Sequence, residues 1–322
     1  MGEGRTPRCS PTRQKTEMHP RPAAFFLHPS TLTRHPRDVE PPTIEEIQAA
    51  VRAALAEDIG AGDATTLATV PADAQAVALL VAREPLVLAG AAFAEEAFRQ
   101  LSEQVRFELF AKDGAALPAK AVIARVTGPA RALLTAERVA LNFVQRLSGV
   151  ATLTARFVEA VRGTRAKILD TRKTTPGWRR FEKYAVACGG GTNHRFGLHD
   201  LILIKDNHLA ALRDAQPGAI AVAVERARKH FPRLKVEVEA DTLNQVDQAL
   251  DAGADFILLD NMTNAQLREA VAMSLGRAKL EASGGVNLQT VRGIAETGVD
   301  YISVGALTHS ARAVDIALDF SD

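Results

Sequence analysis

The amino-acid sequence predicts an α/β protein: an incomplete parallel α/β barrel joined to an N-terminal open α/β sandwich domain. Three observations predict it. After Arg165, apolar runs of strand length alternate with helical stretches, the rhythm of right-handed βαβ crossovers and a parallel sheet. Between Pro41 and residue 150, short β-rich runs mix with amphipathic helical stretches, enough for a second core. The roughly 158 residues that follow residue 164 fall short of the roughly 250 of an eight-fold barrel, in a chain of 322 residues.

Residues 1–40 are rich in Pro, Arg, Thr and His and show no period, so they read as a disordered leader. The leader is Arg-rich and acid-poor like a transit peptide, but its prolines break any amphipathic helix, and Met18 offers a second start. From Pro41 the pattern becomes regular. Thr43 is an N-cap candidate with Glu45 and Glu46 in the first turn, and Ile44, Ile47, Val51 and Leu55 share one face of a helix that stops at Gly60. Asp58–Thr66 is turn-rich; its acids match no metal-loop spacing, which makes it a structural loop. Ala76–Ala82, Leu86–Leu88, Val105–Phe110 and Ala121–Val126 have strand composition, and Ala91–Leu101 has that of a helix. Thr135 opens a helix with Val139, Phe143, Val144 and Leu147 on its apolar stripe. Gly149 is expected to interrupt it before a second helix from Ala151 to Val161. Arg138, Asn142 and Arg146, four residues apart, share a separate polar stripe. These residues make up a domain at 41–150, which the segment 310–322 is expected to rejoin as a C-terminal helix.

The barrel is expected over 151–309. Its strands are predicted at 166–170, 201–205, 234–239, 256–260, 279–283 and 301–304, with helices near 217–230, 242–252, 263–274 and 287–296. Parallel strands gather their carboxyl ends on one edge, where such folds bind ligands. Chain order therefore becomes a ring of Asp170, Lys205, Glu239, Asp260, Ser283 and Gly305.

A formal net charge of +1 gives no global bias towards nucleic acid. Two cysteines make no disulfide framework and fit a reducing cytoplasm, and no apolar run approaches the roughly 18 residues of a membrane helix. Cys188, flanked by glycine in a basic segment, invites a reading as nucleophile. No His–Asp arrangement is tied to it, so a packed small residue is the expectation.

The chemistry concentrates between Arg172 and Lys205. Arg172, Lys173, Arg179, Arg180, Lys183, Arg195 and Lys205, with His194 and His199, stand there against Glu182 and Asp200 alone. An isolated Arg or Lys is usually a surface charge. Here they lie beside Gly189-Gly190-Gly191 and at strand ends, the texture of a pocket for small anions. Arg forks match carboxylate and phosphate oxygens in pairs, and Lys supplies a point charge. Glu239 and Asp260 bring negative charge to the same edge. Either they salt-bridge the neighbouring lysines, or a divalent cation such as Mg²⁺ bridges them to a phosphorylated ligand. Ser283-Gly284-Gly285 and Val304-Gly305-Ala306 are short glycine turns whose N–H groups can cradle a phosphate. From the residues alone, this is a barrel enzyme acting on a phosphorylated, metal-bound substrate and a carboxylate-bearing one.

Eight ordered motifs carry the reading further: Glu137-Arg138-Val139-Ala140-Leu141-Asn142 with Leu147-Ser148-Gly149, Asp170 through Gly177, Asn193-His194-Arg195, Ile204 through His208, Glu237-Val238-Glu239, Leu259-Asp260-Asn261, Ser283-Gly284-Gly285, and Val304 through Ser310. Together, over about residues 43 to 320, they resemble quinolinate phosphoribosyltransferases. That resemblance implies reaction of quinolinate with phosphoribosyl pyrophosphate to nicotinate mononucleotide, pyrophosphate and CO₂, feeding NAD synthesis, in a head-to-tail homodimer that uses Mg²⁺. It further implies that Arg138 enters the partner subunit's site and, with Arg172, His194, Arg195 and Lys205, grips the two ring carboxylates. Lys173 and Lys205 would meet the pyrophosphate, and Glu239 and Asp260 the ribose hydroxyls and Mg²⁺. The turns Ser283-Gly284-Gly285 and Gly305-Ala306 would take the 5′-phosphate. Lys173, Lys205, Glu239 and Asp260 are the residues expected to serve catalysis itself. Trp178 departs from the pattern, standing where an aliphatic residue is expected after the Pro-Gly turn. The rivals are a paralogue using another carboxylated base, a metabolite-binding regulator descended from the same fold, and a barrel aldolase with Lys205 as Schiff base. Lys173, Glu239 and Asp260 together count against the regulator, and the surrounding cations and glycine turns against the aldolase.

Overall fold

The computed structural model describes residues 1–2 and 41–321. The predicted leader falls almost wholly outside the described residues. Thr43 accepts from the Glu46 N–H and Glu46 returns the bond, a capping box that starts helix α1 (Ile44–Ile59), whose Val51 and Leu55 are buried. Asp58–Thr66 is not all loop: Asp63 caps a short helix α2 (Ala64–Thr69) and accepts from the Thr135 hydroxyl, so its acid is a structural group. Then follow β1 (Gln75–Ala82), β2 (Leu86–Val87), α3 (Ala91–Leu101), β3 (Arg106–Leu109), β4 (Ala116–Leu117) and β5 (Val122–Pro129). Of these, only β4 lay outside the predicted elements.

Helix α4 (Ala130–Ala160) runs unbroken for 31 residues, where the sequence predicts two helices parted at Gly149. The glycine has a packing role instead. A Cβ there would lie 2.0 Å from the Arg312 carbonyl oxygen, so its absence lets the C-terminal segment cross against the helix. That segment differs too: 310–322 supplies strand β12 (Ile316–Phe320), not a helix. Ile316 and Leu318 are buried while Ala317 and Asp319 are less so, a period of two, and Leu318 pairs with Leu80 across an antiparallel ladder. The first sheet, in the order β12-β1-β5-β3, therefore takes one strand from the far end of the chain. Phe143 on α4 stacks on Phe93 of α3 at 5.0 Å and on Trp178 at 4.9 Å, which gives the unexpected tryptophan its place.

The second half alternates as expected: β6 (Lys167–Leu169), α5 (Arg179–Cys188), β7 (Ile202–Ile204), α6 (Asp206–Ala210), α7 (Ala219–His230), β8 (Val236–Ala240), α8 (Leu243–Asp251), β9 (Phe256–Asp260), α9 (Asn264–Ser274), β10 (Lys279–Ser283), α10 (Val291–Ala295), β11 (Tyr301–Ser303) and α11 (Ala306–His309). The six strands pair in parallel in the order β6-β11-β10-β9-β8-β7. Strands β6 and β7 end the order and do not pair, which leaves the barrel open. A flat sheet would hold them roughly 24 Å apart at about 4.8 Å per strand. Residues following both line one cavity, so the sheet curls strongly. No helix among the described residues is long and apolar enough to cross a membrane.

Candidate active site

At the carboxyl edge of the curled sheet lies a cavity of about 480 Å³, a size suited to a small-molecule ligand. Every strand of the sheet contributes to its wall. Thr171, Arg172 and Lys173 follow β6; Lys205 follows β7; Glu239 is next to last on β8 and Asp260 closes β9; Glu281 and Ser283 come from β10 and Ser303 from β11. His194 and Arg195 enter on a loop whose Thr192 bridges in parallel to Leu169, extending the sheet beside β6.

Of the residues predicted for the site, Arg172, Lys173, His194, Arg195, Lys205, Glu239, Asp260 and Ser283 meet here. The others stand elsewhere. Gly284 and Gly285 border a neighbouring recess with Met262, Thr263 and Asn264. The helix after them begins only at Val291, so this turn is not itself a helix N-terminus. A Cβ on Gly284 would lie 2.1 Å from Asn261 Oδ1; the glycine makes room for Asn261, whose amide bonds Asp260 Oδ2 at 2.7 Å. Gly305 and Ala306 open the four-residue α11, and a Cβ on Gly305 would lie 3.4 Å from Lys173 Cδ. Arg138 is exposed on α4, outside its own chain's cavity.

Three cations of the basic segment are structural instead. Lys183 is fully buried and bonds Asp170 Oδ1 at 2.5 Å and the His194 carbonyl at 2.9 Å. Asp170 also accepts from the Asn193 amide and the His194 N–H, so the pair fixes the loop that carries His194 and Arg195. Burial pushes the Asp170 carboxyl up against the pull of Lys183. Arg179 bonds Thr174 Oγ1 and the carbonyls of Arg172 and Phe196, and Arg180 pairs with Glu46. Cys188 sits beside Tyr184 and burial pushes its thiol up to about 12, which is the packed residue expected and no nucleophile.

Beneath the cations lies a layer of acid that the site reading missed. Glu237 and Glu281, both fully buried, face His194 Nε2 at 3.2 and 3.4 Å. Burial alone would depress the imidazole, but the charges of Glu281 and Glu237 hold it up, to about 10. The Arg195 N–H stands 2.7 Å from Nδ1 and favours the bare nitrogen there; one neutral donor does not outweigh two carboxylates in a dry site. A signal for this layer was present. In Val236-Glu237-Val238-Glu239 the valines alternate towards the helices, which turns both glutamates inward.

Above this layer the cavity is positively charged and crowded. Burial and the Arg172 guanidinium push Arg195 below its ordinary range, a repulsion that a bound anion would relieve. Arg172 Nε is buried with no hydrogen-bond partner among the described residues. Lys205 bonds Glu239. The edge thus combines anion-binding forks, two lysines and two oxygen-donor carboxylates.

The C-terminal domain of quinolinate phosphoribosyl transferases matches residues 150–319 and their N-terminal domain residues 63–148. The chain is 47% identical over 277 residues to the nicotinate-nucleotide pyrophosphorylase (carboxylating) of Mycobacterium leprae, covering 84% of this chain and 95% of that protein. To the probable nicotinate-nucleotide pyrophosphorylase (carboxylating) of Bacillus subtilis it is 46% identical, covering 82% and 89%. The structure of the nicotinate-nucleotide pyrophosphorylase from Francisella tularensis superposes with a TM-score of 0.83 at 40% identity, covering 88% of this chain and 99% of that one. With both domains matched in order and the fold shared over 88% of its length, this chain belongs to the quinolinate phosphoribosyl transferase family.

Proposed function

We propose that the protein transfers a phosphoribosyl group from phosphoribosyl pyrophosphate to quinolinate, with decarboxylation, giving nicotinate mononucleotide, pyrophosphate and CO₂ for NAD biosynthesis. The observation that carries this is the cavity itself, where Arg172, Lys173, Arg195 and Lys205 converge with Glu239 and Asp260 in a chain of this family. Arg172 and Arg195 offer forks to the two ring carboxylates, and His194, made cationic by the acids below it, adds charge. Arg138, exposed on α4 and outside its own cavity, is assigned to the partner subunit's site in a homodimer. Glu239 and Asp260, near the carboxyl ends of adjacent strands, supply the hard oxygen ligands that suit Mg²⁺. Bound there with the diphosphate, Mg²⁺ would neutralise charge on the leaving group.

The chain's own groups then account for the steps. Lys173 and Lys205 stabilise the departing pyrophosphate, and the carboxylates of Glu239 and Asp260 stabilise oxocarbenium character left on the ribose. Ser283 on the cavity wall takes the 5′-phosphate, which would extend past it towards the adjoining recess at Gly284-Gly285 and the Gly305-Ala306 turn beside Lys173. The pyridine nitrogen forms the bond to C1. As the adjacent C–CO₂ bond breaks, its electron pair stays on the ring carbon, where the neighbouring positive nitrogen stabilises the carbanion, and a proton from Lys173, Lys205 or water then takes the place of CO₂. The cytoplasm fits the free, reduced Cys188.

The test is an assay following nicotinate mononucleotide and CO₂ together from quinolinate, phosphoribosyl pyrophosphate and Mg²⁺, with Lys173→Ala and Arg138→Ala run in parallel. Equal release of both products, lost in the variants, is the expected result. No product from a folded protein that binds another carboxylated base would transfer the assignment to that base.

A further inference from the structure

Two strips of main chain flank the cationic mouth of the cavity: the loop after β6 that presents Arg172 and Lys173, and the turn from Gly305 to Thr308. They come from opposite ends of the second half, 135 residues apart at Thr308 and Lys173, and neither is held by a strand. What fixes one against the other is a polar network of Arg146, Glu182, Thr175 and Thr308, none of which lines the cavity, and which meets the wall at the Lys173 carbonyl. Glu182, in the first turn of α5, has a fully buried side chain. Its Oε1 accepts from Arg146 Nη2 at 2.6 Å and from Thr175 Oγ1 at 2.8 Å, and its Oε2 accepts from the Thr175 N–H at 3.0 Å. Arg146 reaches in from α4 and also donates to the carbonyls of Thr308 and Ala311, each at 2.5 Å. Thr308 closes the circuit, its hydroxyl donating to the Lys173 carbonyl at 2.6 Å.

We infer that Arg146, Glu182 and Thr308 are positioning residues that set the spacing between the Arg172–Lys173 loop and the Gly305–Thr308 turn, and so the aim of Lys173 at an anionic ligand. The inference rests on the reading of this cavity as the phosphoribosyl-transfer site. A buried carboxylate with three donors and a guanidinium with three acceptors are costly to assemble, and each is satisfied only in this one arrangement of the two strips. Lys173 itself is exposed and long, so its direction depends on where its main chain is held. Displacement of a reacting partner by about 1 Å can cost roughly a hundredfold in rate.

Thr308→Val removes the hydroxyl at nearly constant volume, Thr308→Ser keeps it, and Glu182→Gln keeps an acceptor for Thr175 while leaving Arg146 without its counter-charge. Binding of inorganic pyrophosphate by calorimetry is measured beside kcat/KM and thermal melts. Thr308→Val is expected to lower kcat/KM and pyrophosphate affinity about tenfold, and Glu182→Gln by more, with Thr308→Ser near the parent. In a Lys173→Ala background the Thr308→Val effect should vanish, because the hydroxyl acts through that lysine. A Thr308→Val protein that melts lower yet binds and turns over as the parent would overturn the inference, as would effects that multiply independently of Lys173. Should Glu182→Gln fail to fold, the Thr308 pair decides. Absence of product from the parent would defeat the functional reading, whereas pyrophosphate affinity still judges the positioning role.

Discussion

Replacing Lys183 with methionine removes a charge that never sees solvent. The ammonium bonds Asp170 at 2.5 Å and the His194 carbonyl at 2.9 Å, and both members of the pair have zero side-chain exposure. Methionine fills the space and leaves Asp170 with the Asn193 amide and the His194 N–H as donors. The loss is then one buried carbonyl without a donor, worth about 1–3 kcal/mol, and one carboxylate stripped of its counter-charge, which brings the total to about 3–5 kcal/mol. At roughly 2–4 °C per kcal/mol, the melting temperature should fall by about 10 °C. Removing the acid as well, in Asp170→Leu with Lys183→Met, should cost less than the sum of the two single changes, because no buried charge is then left alone. Thermal melts at fixed protein concentration measure all four proteins. A Lys183→Met shift under about 2 °C, or strictly additive losses, would refute the pair as the anchor of the His194 loop.

Other outcomes follow from single contacts. Gly149→Ala should destabilise by about 1–3 kcal/mol although alanine favours helix, because its Cβ meets the Arg312 carbonyl; melting and amide exchange at β12 report it. His194 has a folded pKa of about 10, above the roughly 6.5 of an unfolded histidine, so its stabilisation is complete below about pH 6.5 and lost as the pH rises towards 10. The melting-temperature gap between the parent and His194→Asn should therefore narrow across that window, and a gap that widens would contradict the acid layer. Mixing inactive Arg138→Ala and Lys173→Ala subunits should restore about a quarter of parental activity if each site of a symmetric dimer draws Arg138 from its partner. No recovery after confirmed subunit exchange would place Arg138 in its own chain's machinery or outside the reaction.

The legible parts of the chain were those whose pattern is local. Phe256–Asp260 and Lys279–Ser283 were predicted with the bounds observed, because apolar runs bounded by turns and flanked by helical periods leave little choice. Their terminal residues followed at once, since parallel strands deliver Asp260 and Ser283 to one edge. Helix α5 was missed because its buried face carries Glu182 and Lys183, charged residues that read as solvent-facing until their partners are known. Those partners, Arg146 and Asp170, lie 36 and 13 residues away, and no spacing rule connects them. Gly149 misled for a related reason. In a sequence a helical glycine signals a break, and only the approach of Arg312, more than 160 residues on, turns it into a contact. Strand β12 is too short, at five residues, for its period of two to stand out.

The missed residues have one physical theme. A cavity that holds several cations close together would, left to itself, repel its own walls, and the push of Arg172 on Arg195 records that repulsion. Surface sites relieve it with water. Here His194 and Arg195 are buried, and balancing charge is supplied from below by Glu237 and Glu281 and from the side by Glu239, which bonds Lys205. The desolvation of those acids is settled when the chain folds. An incoming dianion then meets guanidinium forks whose desolvation is already settled, in a site partly shielded from solvent. On this view the acids that looked out of place in an anion-binding pocket are what allow so many cations to stand there at once.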